Sequence, residues 1–166
     1  MIVRPLAVGD APAWRLMMIE ATRSHPAAFL LSTREVADMQ ADQVIDSVSR
    51  GNLSGLFADG TLIAFAGLHL WQLDRLRHRA DIGPFYVAES RRGTGAADLL
   101  MESLAARAAA MGVVWLDLWV AAMNARARRF YARHGFHEVA RREDAIRLEH
   151  GSEDDVLMTR RLSLRH

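Results

Sequence analysis

Apolar residues recur at different intervals along the chain, and each interval predicts a different kind of element. Between Trp14 and Ala21 the interval is three or four residues, which predicts an amphipathic helix over residues 13–24 that ends before Pro26. Residues 26–50 show no comparable regularity, so we expect one or two short helices there with loop between them. This part of the chain is therefore predicted to be mainly helical.

The chain starts with a short apolar stretch, Ile2–Arg4, that a proline limits, and we expect an edge strand there. Asp10 is a candidate N-cap for the first helix, because aspartate accepts hydrogen bonds from free helix N–H groups. Ser32 or Thr33 is placed to cap a later helix that includes Glu35. Helix starts are thus indicated even where the apolar spacing is irregular.

Two apolar runs on either side of Asp59-Gly60 predict a β-hairpin with strands at Ser54–Ala58 and Leu62–Leu70. Asp-Gly supplies the positive φ angles that a tight hairpin turn requires. A polar connection then leads to a further strand at residues 80–87, and three consecutive antiparallel strands are the economical topology. The middle of the chain is therefore predicted to be a sheet.

The strand at 80–87 contains Gly83-Pro84, and proline has no N–H to donate to a neighbouring strand. We therefore expect the sheet to bulge or separate at this point. Separation would leave backbone N–H and C=O groups available to an extended ligand. An ordinary bulge in an edge strand is the alternative.

A glycine loop, Arg91–Ala97, follows this strand and leads into an apolar helix that runs to about Met111. Such a loop presents unpaired N–H groups and the positive end of the helix dipole, which suit a phosphate group. Gly112 ends the helix, and Val113–Val120 predicts a parallel strand buried on both faces, broken only by Asp117. We expect Asp117 to be buried and hydrogen-bonded. The residues expected on the core face of the helix are Ala97, Leu100, Met101, Leu104, Ala108 and Met111.

The C-terminal part of the chain predicts a short helix followed by a pair of strands. Asn124 is expected to cap the helix, which ends at His134-Gly135. Phe136 to about Ala140 predicts a strand, and a connection rich in Arg, Glu and Asp follows it. Asp155–Leu162 alternates enough to predict the last strand, paired antiparallel with the preceding one.

The composition, with 166 residues of which 51% are hydrophobic and 25% charged, is typical of one globular domain over residues 1–166. A net charge of +1 provides no strong field for nucleic acid or an anionic membrane, so neither partner is expected. No apolar run approaches the roughly 20 residues of a membrane span, and the first residues do not resemble a cleaved leader. With no cysteine, the composition fits a reducing compartment, and we expect a cytoplasmic location.

The histidines do not have the spacing with nearby carboxylates that closes a metal site, so we expect no metal. His69 lies in the middle of a predicted strand, where a structural, hydrogen-bonded histidine is favoured over a catalytic one. The absence of cysteine also excludes thiolate ligands and a cysteine nucleophile. The other histidines are His25, His78, His134, His137, His150 and His166.

Two motifs in order give residues 80–140 a family resemblance. Arg92, Gly95 and Ala97 fit a pyrophosphate motif of Gln or Arg, two residues, Gly, one residue, and Gly or Ala. The segment Asn124–Phe136 fits a second motif, in which Asn, Ala, an aromatic-Tyr pair and Gly-Phe follow at the usual spacing. Together these motifs resemble the GNAT superfamily of acetyl-CoA-dependent N-acetyltransferases. A dinucleotide-binding fingerprint is disfavoured because its third glycine is missing.

The resemblance implies an α/β fold of the α+β mixed-sheet kind. Its central sheet is mixed antiparallel and parallel, is split near the strand 80–87, and has helices on both faces. The resemblance further implies acetyl-CoA as the acyl-donor cosubstrate and a homodimer as a candidate assembly. The residues implied for acetyl-CoA binding are Phe85, Tyr86, Val87, Arg92, Gly93, Thr94, Gly95, Ala96, Ala97, Asn124 and Tyr131.

The resemblance also implies catalytic roles. Tyr131 corresponds to a general acid for the CoA sulfur, and packing beside Phe130 is its alternative role. Asp81 resembles the position where some members of the family carry a glutamate base, although its side chain is one methylene shorter. A proton relay through water, Glu20 and His69 are the alternatives for the base.

The favoured function is transfer of acetyl from acetyl-CoA to a primary amine of a small molecule, by direct attack in a ternary complex. Acetylation of a protein N-terminus or a lysine side chain is one alternative. A non-catalytic acyl-CoA-binding regulatory module is another. The acceptor itself depends on residues 10–50, the hairpin and the last strands, where nothing in the sequence is diagnostic.

Overall fold

Seven strands and five α-helices follow one another in residues 1–162, the part of the chain that the structure, a computed structural model, describes. The strands are β1 (Ile2–Pro5), β2 (Leu53–Ala58), β3 (Thr61–Leu70), β4 (Arg79–Val87), β5 (Trp115–Ala121), β6 (His137–Leu148) and β7 (Gly151–Arg161). The helices are α1 (Ala11–Ser24), α2 (Thr33–Asp38), α3 (Ala41–Ser49), α4 (Ala96–Ala110) and α5 (Ala125–Arg133). Short 3₁₀ turns precede α1, α2 and α4.

The strands form one mixed sheet in the order β1-β2-β3-β4-β5-β7-β6. β4 and β5 run parallel, with Arg79 to Asp81 paired with Trp115 to Asp117, and they enclose α4 in the chain. The flanking pairs β1–β2, β2–β3, β5–β7 and β6–β7 are antiparallel. The α/β mixed-sheet fold expected from the family resemblance is therefore confirmed.

The chain divides into two compact units. Unit 1 contains Met1–Leu68 and Pro84–Leu104, and unit 2 contains His69–Gly83 and the chain from Ala105 onward. Unit 1 has an apolar core to which α1, the segment 29–48, the hairpin and β4 contribute. Its members include Trp14, Met18, Val36, Val48, Phe57, Phe65 and Tyr86.

Unit 2 is built on β5 and β7: all of β5 pairs with the C-terminal part of β7, from Trp115 with Arg161 to Ala121 with Asp155. Large apolar side chains at alternate positions of these two strands are buried on one face, because successive residues of a strand point to opposite faces. Polar residues between them, Asp117, Asp155 and Thr159, are buried as well. Tyr131 of α5 and Phe136 after it are also buried. The buried apolar residues of the strand pair include Leu116, Leu118, Val120, Val156 and Met158.

The turn and cap chemistry read from the sequence explains several element boundaries. Asp59 and Gly60 have φ angles of 49° and 78°, so the hairpin turn predicted from Asp-Gly is confirmed. Ser32 caps α2: its Oγ accepts a hydrogen bond from the Glu35 N–H at 3.2 Å, and a Glu35 carboxylate oxygen accepts from the Ser32 N–H at 2.8 Å. One or two short helices were expected in residues 26–50, and the structure has two, α2 and α3.

Asp10 occupies the N-cap position of α1, but its side chain makes no hydrogen bond to that helix. The carboxylate instead accepts two hydrogen bonds from the Arg4 guanidinium, at 2.6 and 2.9 Å, and one from the Ala7 N–H at 2.8 Å. The bond from Arg4 is the main reason that the pKa of Asp10 lies below its usual value. The predicted capping role was wrong, because an arginine on β1 takes the carboxylate.

Two exposure predictions were also wrong. Met111 is 53% exposed because α4 ends at Ala110 and the chain turns at Gly112, so this methionine is not on the core face. Trp119 is 45% exposed, so β5 is not buried on both faces along its length. The Arg142 guanidinium lies over the Trp119 ring at 4.4 Å, which partly covers this aromatic surface.

The charged segment after residue 140 is part of the last hairpin rather than a connection. β6 continues to Leu148 and pairs with β7 as far as Gly151, with irregular register between Arg142 and Ile146. Ion pairs across the hairpin stabilise it: Arg141 with Asp154 at 2.8 Å, and Arg142 with Asp155 at 3.0 Å. Charge therefore marks cross-strand pairing here.

No helix in the described part of the chain, residues 1–162, is long and apolar enough to cross a membrane.

Candidate active site

β4 contains an unusual backbone conformation in its middle. Gly83 has a φ of 155°, which a residue with a side chain rarely adopts, and Pro84 follows it without an N–H. The register with β5 covers Arg79 to Asp81, before this point. The last residues of the strand, Phe85 to Val87, lie beyond it and belong to unit 1.

The loop after β4 is shaped by two glycines. Gly93 and Gly95 have φ angles of 78° and 82°, while a Cβ on either would meet no atom within 4 Å. The glycines are therefore needed for their backbone angles rather than for space. Thr94 Oγ1 donates to the Arg91 carbonyl at 2.7 Å, and α4 begins at Ala96. Backbone N–H groups at the start of a helix suit an anion.

Arg92, the second of the two arginines in this loop, is partly buried and contacts other residues of unit 1. Its Nη2 donates to His25 Nε2 at 2.8 Å, its Nε lies 3.4 Å from the Val87 carbonyl, and its guanidinium lies 5.7 Å from the centre of the Tyr86 ring. His25 follows α1 directly. The structure thus connects the end of α1 to the glycine loop through a histidine that the sequence did not assign to the site.

Tyr86 links β4 to α1. Its hydroxyl donates a hydrogen bond to a Glu20 carboxylate oxygen at 2.7 Å, and its ring packs edge-on against Phe29 with centroids 6.1 Å apart. Burial, assisted by Glu20, raises the pKa of Tyr86 to about 12. The phenol is therefore neutral near pH 7 and acts as a hydrogen-bond donor that orients Glu20.

Asp81 lies in unit 2, on the part of β4 that pairs with β5. Its side chain is half-buried, and burial is the main reason that its pKa is raised, with the negative charge of Asp117 as the second cause. His69, a hydrogen bond with Trp71, and Arg79 act in the opposite direction. A carboxyl group with a raised pKa holds a proton more readily than an exposed aspartate, which suits a general base.

His69 is close to Asp81 but has a backbone partner. Its Nε2 lies 2.8 Å from the Gly83 carbonyl oxygen. Because a carbonyl oxygen only accepts, the ring nitrogen must carry the proton and donate. This bond agrees with the prediction of a hydrogen-bonded structural histidine, and it ties the His69 side chain to the β4 backbone at Gly83.

The Asp117 carboxylate accepts hydrogen bonds from two side chains of unit 2. Arg79 donates to its two carboxylate oxygens from Nε at 2.7 Å and from Nη2 at 2.6 Å, and Thr159 Oγ1 donates at 2.6 Å. Asp117 is 8% exposed. The prediction of a buried, hydrogen-bonded strand residue is confirmed, and three donors explain why a charge is tolerated there.

Tyr131 and Asn124 lie on α5 and at its start, also in unit 2. Tyr131 is buried, packs against Phe130 and Phe136 with ring centroids 5.3 and 5.8 Å away, and has a pKa raised by burial. Asn124 Oδ1 accepts from the Ala127 N–H at 3.0 Å, so its predicted role as the helix N-cap is confirmed.

Three side chains contact predicted site residues, and the sequence analysis assigned none of these contacts. Those side chains are His25 beside Arg92, Glu20 beneath Tyr86, and Trp71 beside Asp81. Glu20 was considered only as a base, and neither His25 nor Trp71 has a sequence motif. His25 directly follows α1, and Trp71 directly follows β3. These positions at the ends of elements are the only feature of the sequence that could have pointed to the two residues.

Among residues 1–162, no group of three or more His, Asp or Glu side chains gathers in a way that could hold a metal ion. His166, which belongs to the histidines considered in the sequence, lies outside the described residues.

The seven-stranded mixed sheet with one parallel pair, and the glycine loop that leads into α4, define an α/β protein whose loop N–H groups suit an anion. The sequence model of the Acetyltransferase (GNAT) family matches residues 14–136, which is most of the chain. The chain therefore belongs to the GNAT acetyltransferase family.

Relatives of this chain are named as N-acetyltransferases. Uncharacterized N-acetyltransferases of Mycobacterium tuberculosis and Mycobacterium bovis are each 37% identical to it over 82 residues. The matches cover 49% of this chain and 51% of each relative, so the chain spans about half the length of the curated relatives it matches.

Solved structures share the whole fold. An acetyltransferase of Salmonella typhimurium, crystallised with its cofactor acetyl-CoA, has a TM-score of 0.83 at 18% identity and covers 100% of this chain and 95% of its own. A GNAT-family acetyltransferase of Streptococcus pneumoniae has a TM-score of 0.81 at 21% identity, covering 98% and 99%. A ribosomal-protein-alanine N-acetyltransferase of Brucella melitensis has a TM-score of 0.79 at 20% identity, covering 98% and 100%. At these identities the likeness concerns the fold alone.

Proposed function

We propose that this protein is an N-acetyltransferase of one domain, residues 1–166, that transfers acetyl from acetyl-CoA to a primary amine of a small molecule. The observation that carries the proposal is the loop before α4, where Gly93 and Gly95 adopt positive φ angles and present backbone N–H groups at the start of a helix. Membership of the GNAT family supports the same function.

The residues present fit acetyl-CoA, which supplies the activated acetyl group. The N–H groups from Gly93 to Ala97 are suited to the pyrophosphate, and Arg92 adds charge because two of its hydrogen bonds leave other guanidinium donors available. The backbone of Phe85 to Val87 is proposed to bond the pantetheine arm. Asn124 is proposed to add a further contact while it caps α5.

The acceptor amine must lose a proton before it can attack. An amine with a pKa of about 10 is roughly three pH units from its neutral form at pH 7, which costs about 4 kcal/mol. We propose Asp81 as the base, supported by its half-buried position and raised pKa. A water relay to Asp81, Glu20 and His69 are the alternatives, although His69 Nε2 is already engaged with a carbonyl.

The leaving sulfur must gain a proton, and Tyr131 is the proposed donor. Burial raises its pKa, so the phenol keeps its proton near neutral pH and is available to donate a hydrogen bond to the leaving sulfur. Transfer of the proton itself is proposed to follow as negative charge builds up on that sulfur. The N–H of Val87 is proposed to stabilise the negative charge that develops on the carbonyl oxygen. Because the chain has no cysteine, no thiol acyl-enzyme is available and direct attack in a ternary complex is proposed.

The test is an acetylation assay with purified protein, acetyl-CoA and a panel of small amines, in which release of free CoA is followed with a thiol reagent. Calorimetry with acetyl-CoA measures binding separately. Tyr131→Phe should lower kcat by about 100-fold while changing acetyl-CoA affinity little, because only the proton is removed. An unchanged kcat would remove Tyr131 from the acid role.

The panel also separates the alternatives. Peptides with free N-termini and lysine-containing peptides test acetylation of proteins, which would be favoured if they are turned over and small amines are not. Tight binding of acetyl-CoA with no turnover of any amine would favour a regulatory acyl-CoA-binding module. Neither binding nor turnover would reject the proposed function. Sedimentation in the same buffer tests the proposed homodimer.

A further inference from the structure

His25 lies at the junction between α1 and the 3₁₀ turn Pro26–Ala28, and it is half-buried. Its backbone N–H donates to the Ala21 carbonyl at 2.9 Å, so the residue is attached to the last turn of the helix. Its ring lies beside the ring of Tyr86, with the two centroids 6.4 Å apart. The imidazole is therefore placed between the end of α1 and the end of β4.

The hydrogen bond between Arg92 and His25 determines which nitrogen of the imidazole carries the proton. Arg92 Nη2 and His25 Nε2 are 2.8 Å apart. A guanidinium only donates, so Nε2 must accept through its lone pair, and the proton of the ring must lie on Nδ1. The bond therefore requires the neutral imidazole in one of its two tautomers.

The Arg92 side chain has few contacts that restrict it besides this bond. Its Nε lies 3.4 Å from the Val87 carbonyl oxygen, which is long for a hydrogen bond, and its guanidinium lies 5.7 Å from the centre of the Tyr86 ring. An arginine has five N–H donors, so the bonds to His25 and Val87 leave others for an anion. An arginine that is already held in the folded protein loses less rotamer freedom when it binds a ligand.

We propose that His25 is a positioning residue for acetyl-CoA, which holds the Arg92 guanidinium in place and acts on the ligand through it. The inference rests on the proposed function, in which Arg92 and the N–H groups of the glycine loop bind the pyrophosphate. It extends the binding site to the end of α1, which carries no residue of the glycine-loop motif. Without His25, the guanidinium keeps only its long contact with Val87 and its position near the Tyr86 ring.

Calorimetry with acetyl-CoA on four proteins tests the proposal: the unmodified protein, His25→Leu, Arg92→Met and the double variant. His25→Leu keeps an apolar side chain beside Tyr86 but removes the acceptor, and it should weaken binding about tenfold. Arg92→Met should weaken binding at least as much. In the Arg92→Met background, His25→Leu should cause no further loss, because the two residues act through one interaction. Equal losses in both backgrounds would show that His25 only supports the fold, and would overturn the proposal.

His25→Gln is the conservative variant, because the amide oxygen of glutamine lies at about the place of Nε2 and can accept from Arg92. It should restore most of the affinity that His25→Leu loses. His150→Leu is the matched control: it removes a histidine that is 89% exposed in the last hairpin, and it should leave the affinity unchanged. If His25→Gln binds as weakly as His25→Leu, or if His25→Leu binds as tightly as the unmodified protein or more tightly, the proposal is wrong.

The imidazole of the unmodified protein provides a readout that needs neither a variant nor a ligand. Nitrogen–hydrogen correlation spectra of the side chains, recorded at about pH 8 where histidine is ordinarily neutral, distinguish a protonated ring nitrogen from an unprotonated one. Nδ1 of His25 should carry the proton, and a proton on Nε2 instead would overturn the proposal.

These measurements separate this inference from the proposed function. If the unmodified protein does not bind acetyl-CoA, both are rejected. If it binds acetyl-CoA and His25→Leu binds equally well, this inference alone is rejected and the proposed function stands.

Discussion

The hydroxyl of Tyr86 donates a hydrogen bond of 2.7 Å to the carboxylate of Glu20, across 66 positions of the chain. The bond joins the C-terminal half of α1 to the end of β4, next to the loop that carries Arg92. Tyr86 is 4% exposed, so the donor is fixed while the carboxylate stays accessible. One side chain of the core thus sets the direction of an exposed negative charge.

The first prediction concerns the ionisation of the two tyrosines. Tyr86 and Tyr131 are the only tyrosines of the chain, and burial raises the pKa of both, that of Tyr86 to about 12. The near-ultraviolet absorbance of phenolate should therefore show no ionisation near pH 10 in the folded protein. In urea both phenols should titrate near their usual value of 10.

This difference has a consequence for stability. Because the folded pKa of Tyr86 lies above its unfolded value, folding is favoured by the neutral phenol below pH 10, and this contribution is lost as the pH rises toward 12. Tyr86→Phe should remove that pH dependence and lower the free energy of unfolding at pH 7 by about 1 kcal/mol. If either phenol ionised near pH 10 in the folded protein, the burial of that tyrosine would be contradicted.

The second prediction concerns Asp81. If it is the base, Asp81→Asn should lower kcat/KM by about 100-fold or more, and the rate of the unmodified enzyme should rise with pH at a midpoint above 3.8, the usual aspartate value. The measurement is a pH profile of kcat/KM with any amine that the panel identifies.

Stability measurements test the same residue without an assay. The folded pKa of Asp81 is raised, so its ionised form is disfavoured in the folded protein, and stability is lost as the pH rises through the folded pKa. Asp81→Asn should therefore be more resistant to urea than the unmodified protein at pH 7. Asp74→Asn, a change in the exposed connection before β4, is the control and should have little effect. A less stable Asp81→Asn would show that the carboxylate is held by favourable contacts instead.

The third prediction concerns the ion pair between Arg79 and Asp117. Arg79→Met leaves a buried carboxylate with Thr159 as its remaining donor and should lower the free energy of unfolding by about 3 kcal/mol. The double variant Arg79→Met, Asp117→Leu should recover most of this loss, because no charge is then buried without its partner. Urea denaturation of the three proteins measures both effects. Losses that are equal in the single and double variants would indicate that packing, not charge, is disturbed.

The fourth prediction concerns the glycine loop. Gly95→Ala should lower the free energy of unfolding by about 1 kcal/mol, because alanine is strained at a φ of 82° although its Cβ meets nothing within 4 Å. Gly9→Ala is the matched control: it also has free space, and its φ is not in the strained region, so no loss is expected. The same variants, titrated with acetyl-CoA, show whether the loop angles matter for binding. Equal stability of the two variants would remove the conformational argument for this glycine.

Short-range features were predictable from the sequence because their causes lie within a few residues. Asp59 and Gly60 form the hairpin turn through their own φ angles, and Ser32 and Glu35 exchange the hydrogen bonds that cap α2. Asn124 caps α5 by accepting from the N–H of Ala127, three residues further along. The apolar spacing was sufficient for α1 and for most of α4. The two motifs around the glycine loop and α5 then indicated the family.

The charged hairpin was missed for the opposite reason. Arg141 and Arg142 suggest a solvated connection when the chain is considered residue by residue. Their partners Asp154 and Asp155 lie on the neighbouring strand β7, 13 positions further along the chain. Cross-strand pairing cannot be seen until the register is known. Met111 and Trp119 were likewise misjudged, since exposure depends on where the helix ends and on what covers the sheet.

By itself the sequence determined the order of most elements, the position of the glycine loop, the caps of α2 and α5, and the family. Only the tertiary structure decided the surroundings of the chemical groups: Glu20 beneath Tyr86, His25 against Arg92, and Asp81 among His69, Trp71 and Asp117. The physical reason is the distance along the chain between the residues that interact. Backbone conformation is set by neighbours in the chain, whereas the pKa of a side chain and its hydrogen-bond partners depend on groups that meet only after the strands have paired.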